Sequence, residues 1–378
     1  MDNLMKKVLI TGSSGLIGSA LSEKFAQEGW VVNGVDKYLR GYFLQSEEAE
    51  TRGQIQTLQE NYSNIFQYEY DINDIDNMGE LIKEVDAIVH CAAQVSHPRS
   101  LEIPIEDAQT NIMGTLNLLE LTRKFNSEIP FAFISSNKVY GDYPNYFNYK
   151  IIDNGIYKRY ENCLYDSFDE NLPLDQSGHT PFGVSKVAAD LYTQEYAINY
   201  GMKTATFRGG CITSKNQKPV EANGFLGFFT KQVLLKNKIK IFGKGYRVRD
   251  NIHSSDVAEI IYLWINNPQL NPIGNYGTPY NLGGLRQNAV SIFETLSAIE
   301  AKTGIKPIYE DAPARESDHI WWISDMSKFK KDYPKWKGIT KNLDYLFNEL
   351  IQHWIEIYDL NVKIQKLNYF EKLRNEIK

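Results

Sequence analysis

The segment Thr11-Gly12-Ser13-Ser14-Gly15-Leu16-Ile17-Gly18 constrains the fold most, because it joins a short apolar run, Val8-Leu9-Ile10, to Ile17, Ala20, Leu21 and Phe25 at helical spacing. The order is strand, tight turn, helix. Gly12, Gly15 and Gly18 leave the backbone bare at this junction, and the helix N-terminus offers unpaired N–H groups to a pyrophosphate. Gly12, Ser14, Gly15, Leu16, Ile17 and Gly18 are therefore candidate phosphate-side residues. Glycine is common in turns, so the pattern alone is weak; the strand before it and the helix after it supply the context that the chemistry needs.

Further apolar strand candidates follow at Val31–Val35, Ile65–Tyr68, Ala87–His90, Phe131–Ser135 and Thr204–Phe207, with helical patterns between them, including Asn111–Arg123 and Lys186–Ile198. Such alternation predicts an α/β fold with a doubly wound parallel sheet. After Arg208 the alternation fails, and the loop-rich stretches Thr213–Gly227 and Gly243–Arg249 predict a smaller α/β lobe at the C-terminal side. The expected division is a dinucleotide-binding domain over residues 1–208, a mainly substrate-binding lobe over 209–340 with some segments returning to the first domain, and a helical extension over 341–378. In that extension Leu343, Leu346, Leu350, Trp354 and Ile357 fall at three- and four-residue steps, an amphipathic helix for packing or a subunit contact.

With 42% hydrophobic residues, the 378-residue chain can bury a large core. A net charge of -6 argues against a nucleic-acid partner, which needs a basic surface. Cys91, Cys163 and Cys211 are too scattered for a disulfide framework or a metal site, so a reducing cytoplasm and no metal are expected. Met1–Lys7 leaves no room for the apolar part of a signal peptide, and no run approaches the ~18 apolar residues of a membrane span.

Asp36 ends the second strand, where its carboxylate can accept hydrogen bonds from a ribose diol and repel a 2′-phosphate. NAD is expected over NADP, although Lys37 and Arg40 lie close by. Asp71-Ile72, past the third strand, is either an adenine contact or a solvated loop acid. Ala92, Ala93 and Gln94 follow the fourth strand as a loop beside the cofactor, and Asn111 joins the cofactor-side set with Lys186.

Ser135-Ser136-Asn137-Lys138-Val139-Tyr140-Gly141-Asp142 follows the fifth strand, and Pro181-Phe182-Gly183-Val184-Ser185-Lys186 opens the next helix, both at the carboxyl ends of strands where open parallel sheets bind ligands. On these residues the chain resembles the extended short-chain dehydrogenase/reductases, which implies a Rossmann domain and a Ser or Thr, a Tyr and a Lys acting beside NAD. In that family's sugar epimerases the Tyr removes a hydroxyl proton, the Lys lowers its pKa and the Ser or Thr orients the sugar. Ser136, position 182 and Lys186 are the matching positions. The Ser136–Asp142 run further resembles the CDP-paratose 2-epimerases, also called CDP-tyvelose epimerases. Tyr165-Asp166-Ser167, Gly224–Phe229, Arg247-Val248-Arg249-Asp250, Asn281-Leu282-Gly283-Gly284 and Arg315-Glu316-Ser317-Asp318 agree with it, and the likeness runs from about Lys7 to about Lys341.

The resemblance implies a CDP-hexose inverted at C2 through a 2-keto sugar, and a homodimer or homotetramer paired through the helices near Asn111–Arg123 and Lys186–Ile198. It implies substrate contacts from Ser136, Asn137, Lys138, Arg208, Asn223, Arg249 and Arg315. Arg249 and Arg315 have the planar fork that grips a diphosphate, the alternative being surface pairing with Asp250 or Glu316. Phe225–Phe229 either stacks a pyrimidine or packs the lobe, and His253 is read as structural. Related sugar 4,6-dehydratases carry an Asp-Glu pair where this chain has Asn137-Lys138, which disfavours expulsion of water.

Phe182 departs from the family pattern, because it keeps the aromatic ring and lacks the oxygen that exchanges a proton. The expectation is an epimerase inactivated by a Tyr-to-Phe change. The alternatives are a non-catalytic NAD and sugar-nucleotide binding protein, a dehydrogenase or dehydratase on a similar substrate, and an enzyme that recruits Lys186, Tyr140 or Tyr165 as its base.

Overall fold

Seven runs of the chain form the central sheet: β1 (Lys7–Thr11), β2 (Val31–Val35), β3 (Ile65–Tyr68), β4 (Ala87–His90), β5 (Phe131–Ser136), β6 (Thr204–Gly209) and β7 (Thr278–Leu282). The structure is a computed structural model that describes residues 5–155, 157–315, 317–365 and 367–371. The strand order is β7-β6-β5-β4-β1-β2-β3, and every pairing is parallel. Helices cover both faces, so Val8–Ile10 and Ala87–Val89 are fully buried and read as unbroken apolar runs rather than alternating ones.

Between β1 and β4 the order reverses, since β2 and β3 extend the sheet one way and β4 onward the other. A crevice opens at this switch point, beyond the carboxyl ends of the strands. Gly12, directly after β1, has φ +67°, and a Cβ there would stand 2.7 Å from the Ala92 amide nitrogen after β4. Only glycine lets these two loops close on one another.

The predicted strands appear at their expected places, and β7 is an addition to them. Thr278-Pro279-Tyr280-Asn281-Leu282 mixes polar residues with a proline, which hides it from an apolar-run criterion. β7 is an edge strand paired only with β6, the position where proline is tolerated. The helix expected over Asn111–Arg123 begins inside a π turn at Gln109–Met113 and continues as α-helix over Gly114–Phe125. That expected over Lys186–Ile198 is longer, Thr180–Tyr200, because Pro181 suits the first turn of a helix.

Residues beyond β6 build a second layer, in which the strand Val248–His253 pairs with Cys211–Thr213, Ala289–Ser291 and Trp321–Trp322. The helix Leu343–Ile357 buries Leu343, Leu346, Leu350 and Trp354 in one cluster with Leu226, Val233 and Ile299, while Ile357 is exposed. Among the described residues no helix is long and apolar enough to cross a membrane.

Arg208, expected to touch substrate, is instead spent inside the protein. Its Nε and Nη2 donate to Asp190 at 3.1 and 2.9 Å, its Nη1 donates to the Tyr140 hydroxyl at 3.0 Å, and its side chain is 3% exposed. Ser135 donates to the same carboxylate at 2.6 Å, and Tyr140 donates to Asn281 at 2.8 Å. Breaking a buried pair strands one charge, so Arg208→Met is expected to cost about 3–5 kcal/mol in urea unfolding, and the double change Arg208→Met with Asp190→Leu to recover most of it.

Candidate active site

The switch-point crevice is a cleft of about 500 Å³ walled by the glycine turn, the loops after β2, β4 and β5, the start of the helix Thr180–Tyr200 and the second layer. Of the residues singled out from sequence, it is lined by Gly12, Gly15, Leu16, Ile17, Gly18, Asp36, Lys37, Arg40, Asp71, Ile72, Ala92, Ala93, Ser136, Asn137, Lys138, Phe182, Lys186, Asn223, Arg249 and Arg315. Residues from nine separate stretches of chain meet there.

One half fits a dinucleotide. Gly15 is the N-cap of the helix Leu16–Gln27 and provides no side-chain cap, so first-turn N–H groups are left for an anion. At the end of β2, Asp36 accepts from the Ser14 amide at 3.1 Å, the Ser14 hydroxyl at 2.5 Å and the Tyr38 amide at 2.7 Å. These bonds fix the carboxylate beside the cleft. Lys37 is paired with Asp71 at 2.7 Å, which reduces the positive charge available to a 2′-phosphate. Arg40 donates to Asn223 at 3.1 Å and bridges this half to the second layer, and burial pushes its guanidinium down to about 10.

Three cofactor-side expectations need correction. Ser14 is fully buried and holds Asp36 and Thr51 instead of lining the cleft. Gln94 and Asn111 lie behind the loop: the Gln94 amide donates to Asn111 Oδ1 at 2.9 Å, and Asn111 Nδ2 donates to the Gln94 carbonyl at 3.2 Å and Ser185 at 3.0 Å. Their polar groups are used up in shaping the loop that carries Ala92 and Ala93.

In the other half, the Ser136 hydroxyl at the end of β5 accepts from the Lys138 amide at 3.2 Å. The Lys186 amine, almost wholly buried, donates to the Ile134 carbonyl at 3.1 Å, and burial pushes it down to about 8 against the opposing pull of Cys91, Asp107 and Asp190. Lys138 donates to the Ser317 carbonyl at 2.9 Å and is also pushed down to about 8 by burial, with Asp318 opposing. Arg249 donates to Asp318 at 2.6 Å, so its partner is Asp318, not Asp250, whose carboxylate accepts from the Ser324 and Leu285 amides. Glu316 lies outside the described residues. Arg315 donates to the Glu221 carbonyl at 3.0 Å and stacks over Phe242. Burial works to raise Asp318, yet Arg249, Lys138 and Arg247 hold it well below the usual carboxylate range. Four cations, Lys138, Arg247, Arg249 and Arg315, thus surround Asp318, an arrangement with positive charge to spare for a diphosphate.

The Phe182 ring forms part of the cleft wall and packs at 4.6 Å, centroid to centroid, against His97, a residue that sequence reasoning passed over. The available signal was Ser96-His97-Pro98, where Ser96 caps a helix and seats His97 in its first turn. Tyr140 and Tyr165 are not positioned as replacement bases. Tyr140 is fully buried in the Arg208 network, and Tyr165 is packed against Phe147 and Phe168, away from the cleft lining. His253 caps the helix Ser254–Asn266 and bonds Glu349 at 3.1 Å, a structural use.

Residues 8–283 match the NAD dependent epimerase/dehydratase family. A CDP-paratose 2-epimerase of Salmonella typhi is 32% identical over 334 residues, 85% of this chain and 92% of that protein. A dTDP-glucose 4,6-dehydratase of Neisseria meningitidis serogroup B is 26% identical over 336 residues, 85% of this chain and 82% of that one. The crystal structure of a UDP-glucuronic acid 4-epimerase from Bacillus cereus, in complex with UDP-glucuronic acid and NAD, superposes with a TM-score of 0.74 at 22% identity, covering 93% of this chain and 99% of that chain. The chain belongs to the NAD-dependent epimerase/dehydratase family, and NAD is its cofactor.

Proposed function

We propose that the protein is an epimerase of a nucleoside-diphosphate hexose, CDP-linked, which inverts C2 through a 2-keto sugar without net redox change. The observation that carries this reading is the meeting of Ser136, Asn137 and Lys186 in one wall of the cleft, with a cationic cluster opposite a dinucleotide cradle. The likeness to a CDP-paratose 2-epimerase supports the choice of base and carbon. The dehydratases also lie among the relatives, but Asn137 and Lys138 are a poor acid-base pair for expelling water.

Bound NAD supplies reversible acceptance and return of a hydride. Gly12, Gly15 and the first turn of the helix Leu16–Gln27 hold its pyrophosphate, and Asp36 takes the ribose hydroxyls. Lys186 adds positive charge beside the reacting centre, Ser136 orients the sugar hydroxyl, and Arg249 and Arg315 grip the diphosphate. Phe225, Phe228 and Phe229 line the cleft at its far side, where a pyrimidine would stack. Val184, Leu191, Tyr192 and Ile198 leave an exposed apolar stripe along the helix Thr180–Tyr200, which suits a homodimer or homotetramer. A cytoplasmic setting belongs to the same reading.

Asp36→Ala is expected to weaken NAD binding by about 10–100-fold, the loss of charge-assisted hydrogen bonds worth ~1.5–3 kcal/mol, and to narrow the preference over NADP in fluorescence titrations. Incubation with a CDP-hexose is expected to yield a product of unchanged mass with inverted C2 stereochemistry by NMR. Loss of two hydrogens in the mass spectrum would establish a dehydrogenase instead, and loss of water a dehydratase.

A further inference from the structure

We propose that His97 is the group that accepts and returns the substrate hydroxyl proton, occupying the role that the tyrosine of the family would have at position 182. This rests on the epimerase reading above. The His97 imidazole packs against the Phe182 ring at 4.6 Å with a 58° tilt, and both side chains line the cleft. The imidazole thus stands beside the position that the resemblance assigns to the base.

The imidazole is also suitably anchored. Its Nδ1 lies 3.5 Å from the Thr180 hydroxyl, and its Nε2 has no partner among the described residues. With Nδ1 protonated and donating to Thr180, the Nε2 lone pair is free to accept a proton. Thr180 itself sits at φ +61°, a conformation that β-branched residues rarely adopt, at the start of the helix bearing Phe182 and Lys186. Such strain persists where surrounding structure over-determines it, often at functional sites.

The other ionisable groups nearby are occupied. Lys186 donates to the Ile134 carbonyl, Lys138 donates to the Ser317 carbonyl, and Asp318 is locked to Arg249. Burial raises the Cys91 and Cys211 thiols and keeps them protonated. In the step, the hydroxyl O–H bond breaks and its proton passes to Nε2, while the hydrogen on the same carbon leaves with its electron pair for NAD. A C=O bond forms, and the reverse steps on the other face of the sugar restore the starting charges.

Burial and then Lys138, Arg315 and Arg249 push His97 down to about 3, with Asp318 opposing, so the ring is neutral in the free cleft. A bound diphosphate offsets those same cations. Substrate binding therefore removes the cationic part of the depression and raises the basicity of His97, while burial, the larger cause, stays in place.

His97→Asn keeps an amide donor near the Nδ1 position and removes the base, so it is expected to lower kcat by about 10²–10⁴-fold while thermal midpoint and NAD affinity stay near those of the parent protein. Adding Phe182→Tyr to that variant restores the phenol and is expected to recover at least a tenth of the parental rate. In histidine-labelled protein, the NMR titration of His97, assigned by its loss in His97→Asn, is expected to move to higher pH when CDP is added. Parental turnover retained in His97→Asn, or a titration that CDP leaves unmoved, overturns the role of His97 alone. Absence of turnover by the parent protein with every nucleoside-diphosphate hexose tested overturns the epimerase reading, and the proposal with it.

Discussion

The buried ion pair between Arg208 and Asp190 is the joint on which the active-site wall depends. Arg208 stands on β6, Asp190 on the helix Thr180–Tyr200, Ser135 at the end of β5, and Tyr140 connects the group to Asn281 on β7. Four elements are thereby tied to one carboxylate in a region where an unpaired charge would be expensive. Burial opposes the charge on Arg208, but Asp190 and the Tyr140 oxygen keep the guanidinium protonated. The same helix bears Phe182 and Lys186, and the same strand end bears Ser136. These side chains are held in place by a network whose Arg208, Asp190 and Tyr140 stand outside the cleft lining.

Opposite charges divide the cleft. Asp36 stands at the ribose end, fixed by Ser14 and the Tyr38 amide, whereas Lys138, Arg247, Arg249 and Arg315 gather around Asp318 at the other end. A dinucleotide and a sugar diphosphate both carry negative phosphates, so a cleft for two such ligands needs separate means of holding them: backbone N–H groups for one and side-chain cations for the other. Arg40 with Asn223 and Lys231 with Glu48 connect the two walls directly.

Phe182 places an aromatic ring without a hydroxyl at the position that the resemblance assigns to a tyrosine. The ring remains buried in the wall and meets His97, so the cavity keeps its shape although the family's usual proton carrier is absent. Inactivation is the simplest inference from position 182 considered by itself. The neighbouring imidazole, whose Nε2 has no partner among the described residues, is the basis of the alternative proposed above, and it becomes visible only when the loop after β4 and the helix Thr180–Tyr200 are brought together.

Local signals made much of the molecule legible in advance. Short runs rich in apolar residues located β1 to β6, the glycine spacing located the crevice, and most of the expected site residues do line it. The mixed composition of Thr278–Leu282 concealed β7, and nothing local distinguishes Ser14, Gln94, Asn111 or Arg208, which are consumed by internal hydrogen bonds, from residues facing ligand. Strand and turn propensities act over a few residues, so the sequence by itself determined the parallel sheet, the nucleotide cradle and the presence of a phenylalanine at position 182. The pairing of Arg249 with Asp318 and the seating of His97 against Phe182 join residues 69 and 85 positions apart in the chain. Only the tertiary structure decided them, because contacts at that separation exist only once the sheet and its second layer have closed around the cleft.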